Sequence, residues 1–227
     1  MTASGHIHRP PFAFRVEVPD DWTVFDTAPE TWRHSAKALV SGGELTPAQR
    51  RGAMRILQDV AESAQLVGVC VSAVKLARDR ERRIFWGTLS LTWYDSKPIE
   101  PDLAFLEIVV GKRDRRQIFE CDLAAGLIIR GRTVWADPLP GIMTEGRTYD
   151  TQIYLPMPGT TWTALFSGST AAAAHADLME KLVRRMALSL KPDLPVRNPK
   201  SGPERISEGA DALRERLRSA THGDKRS

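Results

Sequence analysis

The sequence lacks the short motifs that identify common catalytic sites. It contains no GxSxG, P-loop, GxGxxG, HExxH or CxxC pattern, and each of these places a nucleophile, a phosphate cradle or metal ligands at a fixed spacing. Of its five histidines, His34 and His175 lie in predicted helices, and neither has a cysteine or aspartate at the spacing of a triad or metal site. These absences predict no catalytic residue, no cofactor and no metal site, and they favour a protein that is not an enzyme.

The chain also has no apolar run that approaches the roughly 18–20 residues needed to span a bilayer. Its first residues lack the apolar stretch and the cleavage site of a secretory signal. We therefore expect a cytoplasmic protein without a membrane span. The two cysteines, Cys70 and Cys121, lie in apolar stretches and are expected to be reduced strand residues, with a disulfide between them as the alternative.

The body of the chain carries almost no net positive charge. The net charge is +4, and the stretch from Lys191 to Ser227 has nine basic against six acidic residues, so +3 falls there and +1 elsewhere. Nucleic-acid recognition requires a concentrated basic surface. We therefore expect no nucleic-acid partner.

The clearest folding unit lies between Asp150 and Lys191. Alternating apolar residues predict strands over Thr151–Leu155 and Thr161–Phe166, joined by a turn at Pro156–Gly159. Apolar residues at helical spacing then predict a helix from Thr170 to Leu190. This strand–turn–strand–helix unit indicates a sheet with a helix packed on one face.

The start of that helix has its own signals. Ser169 or Thr170 is the expected N-cap, and the four alanines 171–174 favour helix strongly. The corner Ser167–Thr170 is also a candidate nucleophile or phosphate loop. It has no lysine and no further glycine, so an N-cap is the better interpretation. The apolar stripe expected to lie on the sheet comprises Leu178, Leu182, Val183, Met186 and Leu190.

A pair of helices is predicted as an insertion at residues 27–67. The first is expected over Pro29–Val40 with Thr27 as its cap. The second begins at the N-cap Thr46, with Pro47 in the first turn, where its missing N–H costs nothing. Its apolar stripe comprises Met54, Leu57, Val60, Ala61 and Ala64.

Alternating patterns predict the remaining strands. Trp86 makes both faces of its strand apolar, which predicts a helix over part of the second face. Residues 102–111 fit either a short helix capped by Asp102 or a strand, because Ile108, Val109 and Val110 are β-branched. The strands are predicted at residues 12–18, 23–26, 69–77, 84–94, 117–123 and 127–135.

These elements predict an α+β fold, an antiparallel sheet flanked by helices with an inserted αα-hairpin near the N-terminus. Residues 1–11 are expected to form a disordered lead, 12–191 a single domain, and 192–227 a flexible polar tail. The tail contains one weakly amphipathic helix. Its apolar side supplies the candidate partner-binding residues Ile206, Leu213 and Leu217.

Aromatic residues provide the candidate pocket. A curved sheet with an inserted helical pair can enclose a cavity between them. The expected lining residues are Trp86, Trp93, Tyr94 and Tyr154. Packing in the core is the alternative interpretation for the tryptophans.

Two stretches carry a family resemblance. The opening FAFRVEVPDDW, from Phe12 to Trp22, and the closing hairpin and helix, from Thr151 to Leu190 with the turn YLPMPG, are similar to the start and end of PsbP-like superfamily domains. The chain resembles in particular the actinobacterial proteins of this architecture. The resemblance implies an antiparallel sheet flanked by helices and a largely non-enzymatic role. It transfers no catalytic residue, because no such motif is shared.

The sequence therefore favours an accessory or adaptor protein that binds another protein. The alternative is a small-molecule-binding domain, or an enzyme of unrecognised type, with a pocket between the sheet and the helical hairpin.

Overall fold

Segments with alternating apolar residues form one antiparallel sheet of seven strands. The computed structural model describes residues 9–41, 45–78, 84–110, 116–134 and 147–194. The strands of the described chain are β1 (Phe14–Arg15), β2 (Thr23–Val24), β3 (Val69–Arg78), β4 (Ile84–Asp95), β5 (Arg116–Glu120), β6 (Ala125–Val134), β7 (Arg147–Pro156), β8 (Trp162–Thr170) and β9 (Lys191–Pro192). The helices are α1 (Trp32–Ser41), α2 (Pro47–Val67), α3 (Leu103–Val110) and α4 (Ala176–Leu188).

The sheet has the strand order β2-β3-β4-β8-β7-β6-β5, and β1 pairs separately with β9. All of these pairs are antiparallel. Strand β8 lies between β4 and β7, so the closing hairpin is inserted beside the long central strand. The predicted α+β class, the antiparallel sheet and the early helix pair are confirmed.

The helix pair forms largely as its sequence signals indicate. Thr46 caps α2 in a capping box: Gln49 N donates to Thr46 Oγ1 at 3.2 Å, and Thr46 N donates to Gln49 Oε1 at 3.0 Å. Gly68 ends the helix at φ 72°, a left-handed conformation that suits glycine. The cap predicted at Thr27 is wrong, because α1 begins only at Trp32 and Asp26 accepts the hydrogen bonds of the preceding turn.

Helix α3 settles the open choice at residues 102–111. Asp102 Oδ1 accepts a hydrogen bond from Phe105 N at 2.7 Å, and Leu103–Val110 is helical. The helical alternative is therefore the right one. Local capping outweighs the β preference of the branched residues that end the segment.

The start of α4 differs from the prediction. Strand β8 continues through Thr170, a 3₁₀ turn spans Ala173–His175, and α4 begins at Ala176. Neither Ser169 nor Thr170 caps it, since Ser169 donates to Asp150 and Thr170 Oγ1 accepts from Ala172 N at 3.3 Å. Pairing of β8 with strands on both sides outweighs the helix preference of the alanines.

The predicted apolar stripe is right at Val183, Met186 and Leu190, which are buried, and wrong at Leu178. Leu178, predicted to face the sheet, is 52% exposed, whereas Met179 is buried. Met179, Val183, Met186 and Leu190 are the buried apolar residues at helical spacing. Glu180 fastens the same helix to the sheet: Arg130 on β6 and Arg184 one turn along α4 both donate to its carboxylate.

The sheet has a different core on each face. The α4 face, on which Leu89, Leu91 and Phe166 lie, is covered by α4 and by the N-terminal segment. Phe12 and Phe14 there pack on Trp93, with ring centroids 5.5 and 5.1 Å apart. The opposite surface, the hairpin face, is covered by α1 and α2, which bury Trp86 as predicted.

The two cysteines lie far apart in the strand order. Cys70 is on β3 near one edge of the sheet, and Cys121 directly follows β5 at the other edge. Both are free thiols. The disulfide considered as an alternative is therefore excluded.

Candidate functional site: a cleft beneath helix α2

The strand register assembles hydroxyl groups from separate parts of the chain on the hairpin face. Ser72, Ser90 and Ser167 lie side by side on β3, β4 and β8. In the next row, Thr88, Ser169 and Asp150 lie side by side on β4, β8 and β7. Successive side chains along a strand point to opposite faces. The apolar residues that alternate with these hydroxyl residues therefore lie on the other face, under α4. The result is a polar stripe across four strands.

Helix α2 bridges part of this stripe and leaves a cleft of about 350 Å³. This volume lies within the range of roughly 300–1,000 Å³ typical of ligand pockets. The helix forms one wall and the stripe forms the floor. The described lining residues are Ile56, Asp59, Val60, Ser63, Ala64, Val67, Val69, Ser72, Trp86, Thr88, Ser90, Thr148, Asp150 and Ser169.

Three hydroxyls of the floor have no hydrogen-bond partner among the residues that the structure describes. Ser72 lines the cleft and is 5% exposed. Its side chain makes no hydrogen bond to any residue that the structure describes. Thr88 and Ser90 likewise make no side-chain hydrogen bond within the described ranges. These hydroxyls are therefore available to a molecule in the cleft.

Two carboxylates line the cleft, one in its floor and one in its wall. Asp150 accepts a hydrogen bond from Ser169 at the floor. Asp59 projects from α2, and within the described chain it makes neither a hydrogen bond nor an ion pair. Burial raises the pKa of Asp59, and the charge of Arg55 only partly offsets this. The Asp59 carboxylate is thus partly desolvated, and no described residue donates a hydrogen bond to it.

The four candidate pocket residues occupy different places. Trp86 lines the cleft and is 4% exposed. Trp93 is on the α4 face, buried beneath Phe12 and Phe14, so the prediction that it lines this pocket is wrong. Its alternative interpretation as a core residue is the right one. Side chains alternate between the two faces along a strand. Trp93 follows Trp86 by seven positions, an odd number, so it points to the opposite face.

Tyr94 and Tyr154 share the hairpin face with Trp86 but lie outside the cleft. Tyr154 is opposite Leu165 in the register and donates its hydroxyl to Gln152 at 3.2 Å. Tyr94, at the far end of β4, is 44% exposed. Neither is among the residues that line the cleft.

Sequence reasoning missed the polar residues of the site. Thr88 and Ser90 were visible as one face of a predicted strand, and Asp59 as a residue of the predicted second helix. Their convergence depends on the register of β3, β4, β8 and β7, and on the position of α2 above them. A run of Ser and Thr on the strand face opposite an inserted helix was the one available signal.

The other sequence-based predictions fall elsewhere. Ile206, Leu213 and Leu217 lie outside the described residues. Within the described ranges, no three His, Cys, Asp or Glu side chains are grouped as metal ligands would be. No helix in the same ranges has both the length and the apolar character required to cross a membrane.

No family model matches the chain, and no curated protein or solved structure does. The resemblance to the PsbP-like superfamily accordingly stays a prediction.

Proposed function

We propose that this protein binds a small molecule in the cleft between α2 and the hairpin face of the sheet. The observation that carries the proposal is the floor of hydroxyls that have no partner within the described ranges, above all that of Ser72. A hydroxyl without a protein partner can both donate to and accept from a polar ligand. The three floor hydroxyls together would hold such a ligand by hydrogen bonds, which supports binding at this place.

The architecture also supports a preformed site. The floor belongs to four hydrogen-bonded strands, and the wall is a capped helix of 21 residues. Sites on strands and helices are held more precisely than sites on loops. The ligand therefore needs to order little of the protein when it binds.

Filling the cleft tests the proposal. In Ser90→Leu a larger side chain occupies the floor, whereas Ser167→Leu places the same residue beside it, outside the lining. A library of small polar compounds is screened by thermal shift against the wild type, and hits are measured by calorimetry. We expect hits that bind the wild type and Ser167→Leu but not Ser90→Leu. The absence of hits, or equal binding to both variants, would refute the proposal.

A second candidate is the accessory role expected from the sequence, in which the chain binds another protein in the cytoplasm. Leu66, at the end of α2 and outside the cleft lining, is a large apolar side chain that is 83% exposed, and an exposed apolar surface can mark a protein contact. Pull-down with the full chain, with Leu66→Ser, and with a chain lacking residues 192–227 tests this role. Retention of the same partner by all three would exclude both segments as its binding site.

A further inference from the structure

Strand β5 is the last strand on its side of the sheet, and β6 is its one neighbour among the described residues. Phe119 is buried in the core of the α4 face, and the other residues of the strand are exposed. An edge strand presents backbone N–H and C=O groups on which a further strand can pair. The strand at the opposite edge, β2, has two residues, whereas β5 has five. Strand β5 is therefore the longer edge strand of the described sheet.

The hydrogen bonding of the β5–β6 hairpin fixes which backbone groups of β5 face outward. Cys121 N donates to Ala124 O at 3.3 Å, and this pair continues the register of the two strands. Along antiparallel strands, residue pairs that exchange hydrogen bonds alternate with pairs that do not. Every second residue counted back from Cys121 therefore bonds to β6, and the residues between them direct their N–H and C=O groups away from it. The residues between them are Arg116, Ile118 and Glu120.

The side chains of these three residues make the edge complementary to itself. They share one face of the strand in the order basic, apolar, acidic, and Ile118 is 56% exposed. When a second β5 lies antiparallel with Ile118 opposite Ile118, Arg116 lies opposite Glu120 at both ends. A shift of two residues would instead oppose Ile118 with a charged residue, and parallel pairing in register would oppose like charges. The charges therefore favour one antiparallel register.

We infer that two copies of this chain associate by pairing their β5 strands edge to edge, antiparallel, about a twofold axis at Ile118. The outward-facing backbone groups then meet, so each of the opposed residue pairs exchanges both hydrogen bonds. A strand of another protein can add to such an edge, but the charge order of β5 matches a second copy of itself. The cleft lies beneath α2 on β3, β4, β8 and β7, so this association does not depend on the proposed small-molecule binding.

The mass of the full chain in solution tests the association. A five-residue edge buries little surface, and interfaces below about 1,200 Å² are typical of weak complexes. Sedimentation velocity is therefore measured from about 5 to about 500 µM. We expect the weight-average mass to rise with concentration from 25.3 kDa toward twice that value. A mass that stays at 25.3 kDa throughout this range would overturn the inference.

Charge reversal tests the register. Glu120→Arg opposes Arg116 with a like charge at both ends of the contact, and Arg116→Glu does the same with acidic residues. We expect each to weaken dimerisation at least about tenfold, whereas the double variant Arg116→Glu/Glu120→Arg restores opposite charges and should return to within about threefold of the wild type. Circular dichroism and the melting temperature check that each variant is folded. Wild-type dimerisation of both single variants, or a double variant weaker than either, would overturn the proposed pairing.

A matched pair of lysine variants locates the contact on the sheet. Ile118→Lys places two like charges at the twofold axis, and a lysine on an edge strand opposes pairing. Val24→Lys places the same charge on β2 at the opposite edge, where Val24 is 64% exposed. We expect Ile118→Lys to remain a monomer over the whole concentration range and Val24→Lys to dimerise like the wild type. Dimerisation that survives Ile118→Lys, or is lost only in Val24→Lys, would overturn the inference.

Discussion

Gly168 lets α4 approach the sheet closely, and adding one methyl group there should separate them. Gly168 lies on β8, opposite Leu89 on one side and Thr151 on the other. A Cβ at this position would lie 2.4 Å from Val183 Cγ2 and 2.9 Å from Met179 Sδ. Met179 is flexible enough to move, but Val183 is fully buried and its branched side chain has one preferred rotamer in a helix.

The magnitude follows from that contact. Because rotation of Val183 cannot relieve it, the Gly168→Ala variant must shift α4 or strain the core, and overpacking of this kind costs about 1–3 kcal/mol. For a domain of this size the melting temperature should fall by about 2–12 °C. Denaturant unfolding should show a lower midpoint with an unchanged slope, since the same surface is exposed.

Two further variants isolate the cause. Gly131→Ala is the matched control, because a Cβ there meets only Asp150 Cβ, at 3.8 Å, and we expect a change between zero and a gain of about 1 kcal/mol. Truncating Val183 to alanine is destabilising alone, but in a double-mutant cycle it should relieve part of the Gly168→Ala penalty. Two results would show that contact with Val183 does not destabilise Gly168→Ala. One is a Gly168→Ala variant as stable as Gly131→Ala. The other is a double variant whose loss of stability equals the sum of the losses in Gly168→Ala and Val183→Ala.

Two other predictions concern the fastening of the helices. Arg130, followed by Arg184, lowers the pKa of Glu180 below its ordinary value of 4.5, and burial opposes this. The stabilisation from these ion pairs is therefore present above pH 4.5 and lost as the pH falls through the lowered value. Glu180→Gln should reduce the free energy of unfolding by about 1–3 kcal/mol at pH 7 and much less near pH 3, in urea titrations at both pH values. A constant difference would contradict the ion-pair explanation. Thr46→Ala should cost about 0.5–2 kcal/mol by removing the α2 cap, whereas Thr31→Ala, which removes only an exposed bond to Asp26, should cost less in the same assay.

Local signals predicted much of the secondary structure. The capping box at Thr46 and the glycine after Val67 depend only on neighbouring residues, so the limits of α2 could be predicted from sequence. The alternation from Phe12 to Val18 likewise predicted which side chains are inward, although only Phe14–Arg15 forms ladder bonds. Those bonds are with Lys191–Pro192, far away in the chain.

Errors arose where distant strands competed with local preference. The alanines after Thr170 favour a helix on their own, yet β8 is held on both sides by β4 and β7 and continues through that residue. The helix therefore begins at Ala176 and not at the predicted Thr170, and periodicity alone does not locate a helix end. On α4, Met179 is buried in place of the predicted Leu178, whereas Val183, Met186 and Leu190 are buried as predicted.

The sequence by itself determined the α+β class, the early helix pair and the burial of Trp86, because patterning and capping are local properties. The tertiary structure alone decided the site. Ser72, Ser90 and Asp150 are neighbours only through the pairing of β3, β4, β8 and β7, and Asp59 joins them only because α2 lies above that stripe. Strand register depends on contacts across the whole sheet, so it cannot be predicted from any single stretch of sequence.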